Sequence, residues 1–444
     1  MGMAAFGAFC YDTCMIKSFV RRFLPLPLLA FYHRTLAGLA DFWYRHPSNE
    51  LIVIGVTGTN GKSTVVSLIG QLLEHAGHRV GWTSTASFKI GHKEWLNDKK
   101  MTMLGRFQLQ KLLRQMVTDG CEFVIVETSS EGIKQSRHLG INYDVAVLTN
   151  LTPEHIESHG GFENYKNAKL DLFRQLTRKP QKKLFSFSAG EKIPKIAVVN
   201  GACPYAKEFL AFPADKKIAY VVDGDVELTQ SGSHFHALGV DMTMPLLGRF
   251  NVENALAAIS VVKEFGMSPE AVAEAVVHLK PVPGRLERIA EGQPFTVIVD
   301  YAADPDSMAK LYEVTELIPH KRVLHVFGSC GGGRDVARRP LLGRLAGAHA
   351  DVCIVTNEDP YDDDPMQIMQ QVAAGAREVG KQDDADLFVI EDRRQAIIKA
   401  IAAAQADDLV LITGKACEQG MMVAGGKMLP WDDRVEVRKA LHRL

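Results

Sequence analysis

From residue 51 onward, short apolar runs alternate with stretches whose apolar positions recur every three or four residues. The β-branched run Leu51–Val56 is typical of a buried strand, and the segment after Lys62 carries Val65, Leu68 and Leu72 on one helical face. Further strands are predicted over residues 79–85, 122–127 and 144–150, and a helix over residues 107–117. Strands that alternate with helices predict a parallel sheet covered by helices on both faces.

A second strand–helix series follows the boundary Pro281–Gly284. Its strands are predicted over residues 295–300, 322–327, 351–356, 387–390 and 408–413. Between the two series, residues 216–247 alternate apolar and polar positions around Asp223-Gly224, which predicts antiparallel hairpins. We therefore predict an α/β protein with a parallel-sheet central domain over residues 51–283 and a Rossmann-like C-terminal domain over residues 284–444.

Residues 1–50 form a separate N-terminal segment. Apolar residues fall at helical spacing between Phe31 and Tyr44 and predict an amphipathic helix; they are Tyr32, Leu36, Leu39, Ala40 and Trp43. Two roles are open for this helix: packing against the next domain, or weak contact with a membrane surface. Its polar face is not strongly basic, which favours packing, and no apolar run is long enough to span a bilayer.

Composition narrows the class of partner and the compartment. Lys plus Arg (51) against Asp plus Glu (52) gives a net charge of −1, so no overall field attracts nucleic acid. The seven cysteines include no C-x-x-C pair, and an odd number argues against a disulfide framework. The chain is predicted to be cytoplasmic and to act on small molecules.

The turn after the first strand predicts a phosphate site. It consists of Gly58, Thr59, Asn60, Gly61, Lys62, Ser63 and Thr64. Glycines let backbone N–H groups converge on an anion, and the start of the next helix adds a partial positive charge. In such a P-loop, Lys62 reaches the outer phosphates and Ser63 ligates Mg²⁺. Val56 stands where the full Walker pattern has glycine; a chance Lys-Ser is the alternative, but the flanking strand and helix favour phosphate binding.

Three more polar residues are candidates near the same sheet edge. Glu127 ends an apolar strand, where a carboxylate is costly unless it is paired or bound to a cation. His155 follows the strand 144–150, and Lys169 lies on a predicted helix. Taken alone, His155 would more often be an ordinary histidine and Lys169 a solvated lysine, so their significance depends on the surrounding motifs.

In order and spacing, the motifs of this chain resemble those of the Mur ligase family, most closely its tripeptide synthetases. The motifs are Thr57–Ser63, Glu127–Ser130, Asn150–His155, Ala168-Lys169, Leu247–Ala255, Pro283–Arg288, Asp300–Asp306, Val326–Asp335 and Gly414-Lys415. The resemblance covers about residues 51–444, and several motifs in the same order are more specific than any one alone.

The resemblance implies an ATP- and Mg²⁺-dependent ligase that makes an acyl phosphate from a muramoyl-peptide-type carboxylate and then an amide with an amino acid. The implied catalytic residues are Lys62, Glu127, His155 and Lys169. The implied Mg²⁺ ligands are Ser63, Glu127, His155 and Lys169, the lysine being carbamylated to N6-carboxylysine. Besides the P-loop, the implied ATP contacts are Asn251, Asn254, Arg285 and Asp300, with simple helix capping as the alternative for Asn251. The implied substrate contacts are Ser129, Gln135, Arg137, Arg334, Asp359, Tyr361, Lys415 and Glu418.

The chain also departs from the family pattern. Fifty residues before the P-loop strand are too few for the family's uridine-binding domain, Met103-Leu104 replaces paired threonines, and Ala303 replaces a histidine. Three functions stay open: a muramoyl-peptide ligase, a ligase of the same fold with another acceptor such as folylpolyglutamate synthase, and a non-catalytic nucleotide-binding protein. The four implied catalytic residues together favour an enzyme, and the Glu127–Ser130 and Asp300–Asp306 motifs favour the first function.

The amino acid added is a further expectation. Ligases of this family that take meso-diaminopimelate carry Asp-Asn-Pro-Arg where this chain has Glu358-Asp-Pro-Tyr361, so the arginine for the second carboxylate is absent. Acidic residues surround the position up to Asp364. This predicts attraction of a side-chain ammonium such as that of lysine or ornithine, although Arg334 or Lys415 is an alternative clamp for a carboxylate.

Overall fold

The computed structural model describes residues 26–153, 156–184, 191–333 and 336–443. A first sheet of eight strands comprises β1 (Ile52–Thr57), β2 (Val80–Thr83), β3 (Ser87–Ile90), β4 (Lys93–Leu96), β5 (Phe123–Glu127), β6 (Val145–Leu148), β7 (Ile196–Asn200) and β8 (Lys216–Tyr220). The strand order is β4-β3-β2-β5-β1-β6-β7-β8. All neighbours pair in parallel except β2 with β3 and β3 with β4.

Both faces of this sheet are covered, as the alternation of strands and helices predicts. Ile52 and Ile54 point into a core shared with α2 (Lys62–His75), α8 (Arg249–Lys263) and α9 (Pro269–Val276). Val53 points into the opposite core with α3 (Arg106–Thr118) and α6 (Phe162–Gln175). Shorter helices are α4 (Ser130–Lys134), α5 (Ile156–His159) and α7 (Ala206–Leu210), and a 3₁₀ turn spans Pro47–Asn49. The predicted parallel-sheet fold is therefore confirmed.

The hairpin prediction for residues 216–247 is right only in part. Strand β8 joins the parallel sheet beside β7, so the turn at Gly224 leads out of one sheet and into another. The antiparallel sheet begins only with β9 (Val226–Thr229), β10 (Gly232–Ala237) and β11 (Val240–Met244). The alternating pattern misled because β8 is an edge strand with exposed positions.

A second large sheet follows Pro281–Gly284. It contains β12 (Glu287–Ile289), β13 (Thr296–Asp300), β14 (Val323–Phe327), β15 (Val352–Thr356), β16 (Leu387–Ile390) and β17 (Leu409–Thr413), in the order β12-β13-β17-β14-β15-β16. Only β12 runs antiparallel to its neighbour. Helices α10 (Pro305–Thr315), α11 (Arg338–His349), α12 (Pro365–Glu378), α13 (Arg393–Ala403) and α14 (Asp433–Leu441) accompany it, with the hairpin β18 (Gly420–Val423) and β19 (Lys427–Pro430) and a 3₁₀ turn at Ala424–Gly426.

The N-terminal helix α1 (Leu26–Trp43) packs on α3 through its small side chains. Ala37 and Ala40 are buried, and the carbonyl of Ala37 lies so close to Gly140 that a Cβ there would be 2.9 Å away. The large apolar side chains face outward instead: Trp43 is 73% exposed and Leu39 52%. Of the predicted stripe, Ala40 is buried and Leu36 half-buried, while Tyr32, Leu39 and Trp43 are exposed. The helix therefore packs on α3, but not through its large apolar side chains. None of the described helices is long and apolar enough to cross a bilayer.

Candidate active site

The P-loop connects β1 to α2 in a conformation that requires glycine. Gly61 has φ +81°, and a Cβ on it would lie 2.3 Å from Asn254 Oδ1. A Cβ on Gly58 would lie 1.9 Å from Thr149 Oγ1. The backbone N–H of Asn60 donates to Asn150 Oδ1 at 2.8 Å. The loop is therefore clamped between the end of β6 and the start of α8.

Glu127 lies beside the start of α2 and is 1% exposed. The Ser63 hydroxyl donates to Glu127 Oε2 at 2.7 Å, and Thr85 donates both its backbone N–H, at 2.7 Å, and its hydroxyl, at 3.0 Å, to the same carboxylate. Lys62 Nζ donates to its own loop at Thr59 O, 2.7 Å away. A buried carboxylate next to a hydroxyl supplies the hard oxygen donors that Mg²⁺ prefers, so this pair fits the ion.

Lys169 contacts the backbone of the P-loop but does not line the cavity that the P-loop faces. It is 1% exposed, its Nζ donates to Gly58 O at 2.5 Å, and the Tyr165 ring centroid is 4.4 Å away. As an ammonium it does not fit a metal site. His155 lies outside the described residues. In the described ranges, three or more His, Cys, Asp or Glu side chains nowhere cluster in a way that would hold a metal.

A cavity of about 940 Å³ lies between the two large sheets and collects most of the predicted residues. Its lining includes the predicted residues Thr59, Asn60, Gly61, Lys62, Ser63, Thr64, Glu127, Ser129, Arg137, Asn251, Asn254, Arg285, Asp300, Asp359, Tyr361 and Glu418. Gly58, Gln135, Lys169 and Lys415 lie outside this lining. Arg334, like His155, is outside the described residues.

The two asparagines of α8 do not act as helix caps. The N-cap of α8 is Gly248, and Asn251 Nδ2 instead donates to Leu247 O at 2.8 Å. Asn254 Nδ2 donates to Asn251 Oδ1 at 3.2 Å, while Asn254 Oδ1 lies so close to Gly61 that an added Cβ there would collide with it. The capping interpretation of Asn251 is therefore wrong, and both buried amides face the cavity beside the P-loop.

Arg285 and Asp300 form the opposite wall. The Arg285 guanidinium lies over the Tyr301 ring, 4.2 Å from its centroid. Asp300 accepts backbone hydrogen bonds from Leu286 and Ala302, both at 2.7 Å. Burial raises the pKa of Asp300, while Arg285 and the two N–H groups act in the opposite direction.

Residues on both sides of the short helix α4 close one end of the cavity. Ser129 caps this helix, accepting from the backbone N–H of Gly132 at 3.1 Å. Arg137 donates to Met103 O and, at 2.7 Å, to Gln135 Oε1. Gln135 thus orients Arg137 from outside the cavity lining, and Ser129 and Arg137 are the two members of this set that reach the cavity.

At the far end, four charged side chains meet. Lys415 Nζ lies 3.0 Å from both oxygens of Asp359 and donates also to Glu418. Lys100 donates to Asp359 from the other side. Although burial opposes its charge, Glu418 and Asp359 raise the pKa of Lys415 above its ordinary value. Burial and the neighbouring Lys415 lower the pKa of Lys100.

Comparisons with known proteins agree with this arrangement. Residues 56–262 match the Mur ligase middle domain, and residues 284–416 match the glutamate ligase domain of Mur ligases. The UDP-N-acetylmuramyl-tripeptide synthetase of Roseiflexus sp. (strain RS-1) is 38% identical over 439 residues, 95% of this chain and 85% of the relative. The chain belongs to the Mur ligase family. Members of this family are ATP-dependent ligases that form amide bonds.

A second relative of this Mur ligase is the UDP-N-acetylmuramoyl-L-alanyl-D-glutamate–2,6-diaminopimelate ligase of Geobacillus kaustophilus (strain HTA426). It is 37% identical over 432 residues, covering 94% of this chain and 84% of the relative. A solved folylpolyglutamate synthase of Mycobacterium tuberculosis is similar in structure, with a TM-score of 0.65, 19% identity, and coverage of 86% of this chain and 92% of that one. At that identity the likeness shows the fold alone.

The sequence suggested that the acidic loop 358–364 of this Mur ligase presents free carboxylates. In the structure its aspartates have partners. Asp359 is held by two lysines, Asp362 accepts from the N–H of Gly425, and Asp363 accepts from the N–H of Gly332. Asp364 caps α12. The attraction expected for a side-chain ammonium is therefore reduced at Asp359, which two lysines already neutralise, whereas backbone N–H partners leave the charges of Asp362 and Asp364 in place. Lys415, which is 1% exposed, is not available as a carboxylate clamp.

Sequence reasoning missed two residues that join the halves of this Mur ligase. Lys100 reaches from the loop after β4 to Asp359, and Asp306 of α10 accepts from Asn60 Nδ2 of the P-loop at 3.2 Å. Lys100 follows another lysine, as a solvated pair would, and Asp306 lies in the first turn of a helix, where acids are common. Asp306 also pairs with Lys310 on its own helix at 3.0 Å, but its contact with Asn60 and the contacts of Lys100 form only when the two sheets pack together.

Proposed function

We propose that this Mur ligase adds an amino acid to a muramoyl-peptide carboxylate, using ATP and an acyl-phosphate intermediate. The observation that carries the proposal is that one cavity contains the P-loop, the Ser63–Glu127 pair and the charged cluster around Asp359. In this proposal the substrate carboxylate meets the phosphate of ATP at the P-loop and the Ser63–Glu127 pair. The amine of the amino acid approaches from the cluster around Asp359. Both relatives described above are named for ligases of muramoyl peptides.

Each P-loop group has a chemical task in this proposal. Lys62 neutralises charge on the transferring phosphate, and the N–H groups of the loop hold the remaining oxygens. Ser63 and Glu127 would hold Mg²⁺, and the bound ion would supply Lewis-acid stabilisation of the charge on the transferring phosphate. Asn251 and Asn254 contact the adenine, Asp300 the ribose, and Arg285 the terminal phosphate.

Lys169 acts in this proposal as a carbamylated residue. Its ammonium is buried beside Gly58 O, where an unmodified lysine is a poor metal ligand. Once the ammonium has lost a proton, the neutral amine would form an N–C bond with CO₂ and release a second proton to solvent, giving a carbamate whose carboxylate oxygens would supply a donor near this position. His155 is the fourth member of the proposed catalytic set.

We propose two domains that close on the substrates, with boundaries near residues 50 and 283. Residues 51–283 contain the first large sheet and residues 284–444 the second. The Asn60–Asp306 and Lys100–Asp359 contacts cross between them. Closure excludes water, which matters because an acyl phosphate hydrolyses readily.

Release of ADP tests the proposal directly. The purified chain is assayed with a matrix of carboxylates (UDP-linked muramoyl dipeptide, a truncated muramoyl dipeptide and a folate) and amino acids (alanine, lysine, ornithine, glutamate and meso-diaminopimelate). We expect ADP only when a muramoyl peptide, an amino acid and Mg²⁺ are all present. ADP release with folate and glutamate would favour the folylpolyglutamate alternative, and no release with any pair would favour a non-catalytic protein.

We also infer weak contact of α1 with a membrane surface. At 100° per residue, six exposed apolar side chains fall within an arc of about 120°; they are Leu28, Phe31, Tyr32, Leu39, Phe42 and Trp43. Exposed Arg34 and Arg45 lie on the same segment. We expect binding to phosphatidylcholine vesicles that contain phosphatidylglycerol, lost in the Phe42→Ser/Trp43→Ser double variant but not in Val221→Ser. Equal sedimentation of all three proteins would contradict the inference.

A further inference from the structure

Lys100 occupies the amino-acid end of the cavity although it belongs to the other half of the molecule. It lies in the loop between β4 and α3 with φ +49°, a conformation that residues other than glycine seldom adopt. Its side chain is only 12% exposed and lines the cavity. The partners of Lys100, 259 and 320 residues further along the chain, belong to the C-terminal half.

Three oxygens surround the ammonium of Lys100. Asp359 Oδ1 accepts a hydrogen bond, the Gly420 carbonyl accepts another at 2.9 Å, and Glu418 Oε2 lies at 3.4 Å. An ammonium has three N–H donors and no acceptor, so three oxygens on one side complete its coordination. This end of the cavity thus has the chemistry of an ammonium site, and the protein fills it with its own side chain.

We infer that Lys100 determines amino-acid specificity by filling the position that the side-chain ammonium of a diamino acid would take. The inference rests on the proposed function. An amino acid without a side-chain ammonium leaves Lys100 in place, whereas lysine or ornithine must displace it. A tethered group competes at an effective concentration in the millimolar range, so the wild-type protein disfavours these substrates.

Charge balance supports this role. With Lys100 in place, Asp359 and Glu418 face two ammonium groups, so the pocket has no net charge to attract a third. Lys415 is buried and held by both acids, so it stays when a substrate enters. Lys100 is the more exposed of the two, so it is the ammonium that a substrate can displace. Burial and the neighbouring Lys415 lower the pKa of Lys100, so its charged form is also the less stable one in this pocket.

The test is the ratio of kcat/KM values for different amino acids, because a purely structural role of Lys100 would lower all of them equally. Values of kcat/KM for lysine, ornithine and alanine are measured by ADP release in wild type and Lys100→Met, with Lys100→Gln as a second variant. Lys99→Met is the control, since Lys99 is half exposed and pairs only with Asp98 in the described structure. We expect the lysine-to-alanine and ornithine-to-alanine ratios to rise tenfold or more in both Lys100 variants and to stay unchanged in Lys99→Met.

Three outcomes separate the possibilities. An equal fall for all three amino acids would show that Lys100 only holds the two halves together, and the inference would be wrong. Ratios that stay constant or fall would overturn it as well. No ADP release by the wild type with any amino acid would refute the proposed function instead, so failure at the two levels is distinguishable.

Discussion

The two ends of the cavity hold their charges in different ways. At the P-loop end, where we propose that ATP binds, Lys62 donates to a backbone carbonyl and Glu127 accepts from two hydroxyls and an N–H, with no ion pair to either among the described residues. At the opposite end, where we propose that the amino acid enters, Asp359 lies between two ammonium groups. The first end keeps its charge for a ligand, whereas the second neutralises itself. The first should therefore bind by electrostatic attraction, and the second should select by displacement and shape.

The largest expected effect comes from removing the cation at the nucleotide end. Lys62→Ala should lower kcat for ADP release by about 10²- to 10³-fold, because a charge aimed at the transferring phosphate acts mainly in the transition state. Lys217→Ala, which changes an exposed lysine of β8, should leave kcat unchanged. If Lys62→Ala turned over the true substrates at the wild-type rate, the proposal that this end of the cavity binds its ligand by electrostatic attraction would be wrong.

Lys169→Ala should have the next largest effect. Loss of a metal-supporting residue lowers activity by about 10- to 100-fold, and short carboxylic acids such as acetate should restore part of it by replacing the carbamate oxygen. The measurement is ADP release against added acetate, with chloride at equal ionic strength as the control. Full activity without any addition would argue that the buried lysine only supports the P-loop.

At the P-loop end the sequence predicted both the residues and the elements that carry them, whereas at the other end it named Asp359, Lys415 and Glu418 but neither Lys100 nor the ion pairs among them. The P-loop, Glu127 and α2 follow one another over short stretches, and their apolar flanks fix where each strand ends. In the second sheet, β13, β14, β15 and β17 begin within one residue of their predicted positions and β16 at its predicted position. The first four are mostly apolar and buried, and β16 is a half-buried edge strand of four apolar residues.

The rest depends on contacts that no local pattern reports. The antiparallel β3–β4 hairpin and the three-residue β12 lie at sheet edges and were not predicted, because exposed edge strands lack a continuous apolar run. The acidic residues of the loop after β15 looked like a binding surface, but Asp359, Asp362 and Asp363 have partners from distant parts of the chain, and Asp364 caps its own helix. Lys100 gains its role only when the two sheets meet.

A smaller effect tests whether the P-loop is shaped by Asn254. Gly61 and Gly77 both have positive φ, +81° and +88°, but only at Gly61 would an added Cβ have a neighbour within 4 Å. Both alanine variants incur left-handed strain of about 1 kcal/mol. Gly61→Ala should also displace Asn254 and raise the KM for ATP about tenfold, whereas Gly77→Ala should leave it unchanged. Equal KM values for the two variants would show that the close approach to Asn254 is unimportant.

The smallest effect concerns the stability of the amino-acid end and its pH dependence. Burial opposes the charge of Asp359, but Lys415 and Lys100 together hold its pKa below the ordinary value. A carboxyl whose pKa is lowered on folding stabilises the protein fully above the unfolded-state pKa of about 3.9, and this contribution disappears as the pH falls through the folded-state pKa. Asp359→Asn should therefore lower the free energy of unfolding by about 1–3 kcal/mol at pH 7 and pH 5, with a narrower difference at pH 3.

Urea unfolding at these three pH values measures the difference between wild type and Asp359→Asn. Asp383→Asn is the matched control: the pKa of Asp383 is also lowered, by its hydrogen bond to Arg377, but the side chain is 54% exposed and solvent screens the pair. We expect no measurable change in that variant at any of the three pH values. A difference for Asp359→Asn that is absent at pH 7, or as large at pH 3 as at pH 7, would mean that the cluster is not self-neutralising. The two ends of the cavity would then bind their ligands by the same electrostatic attraction.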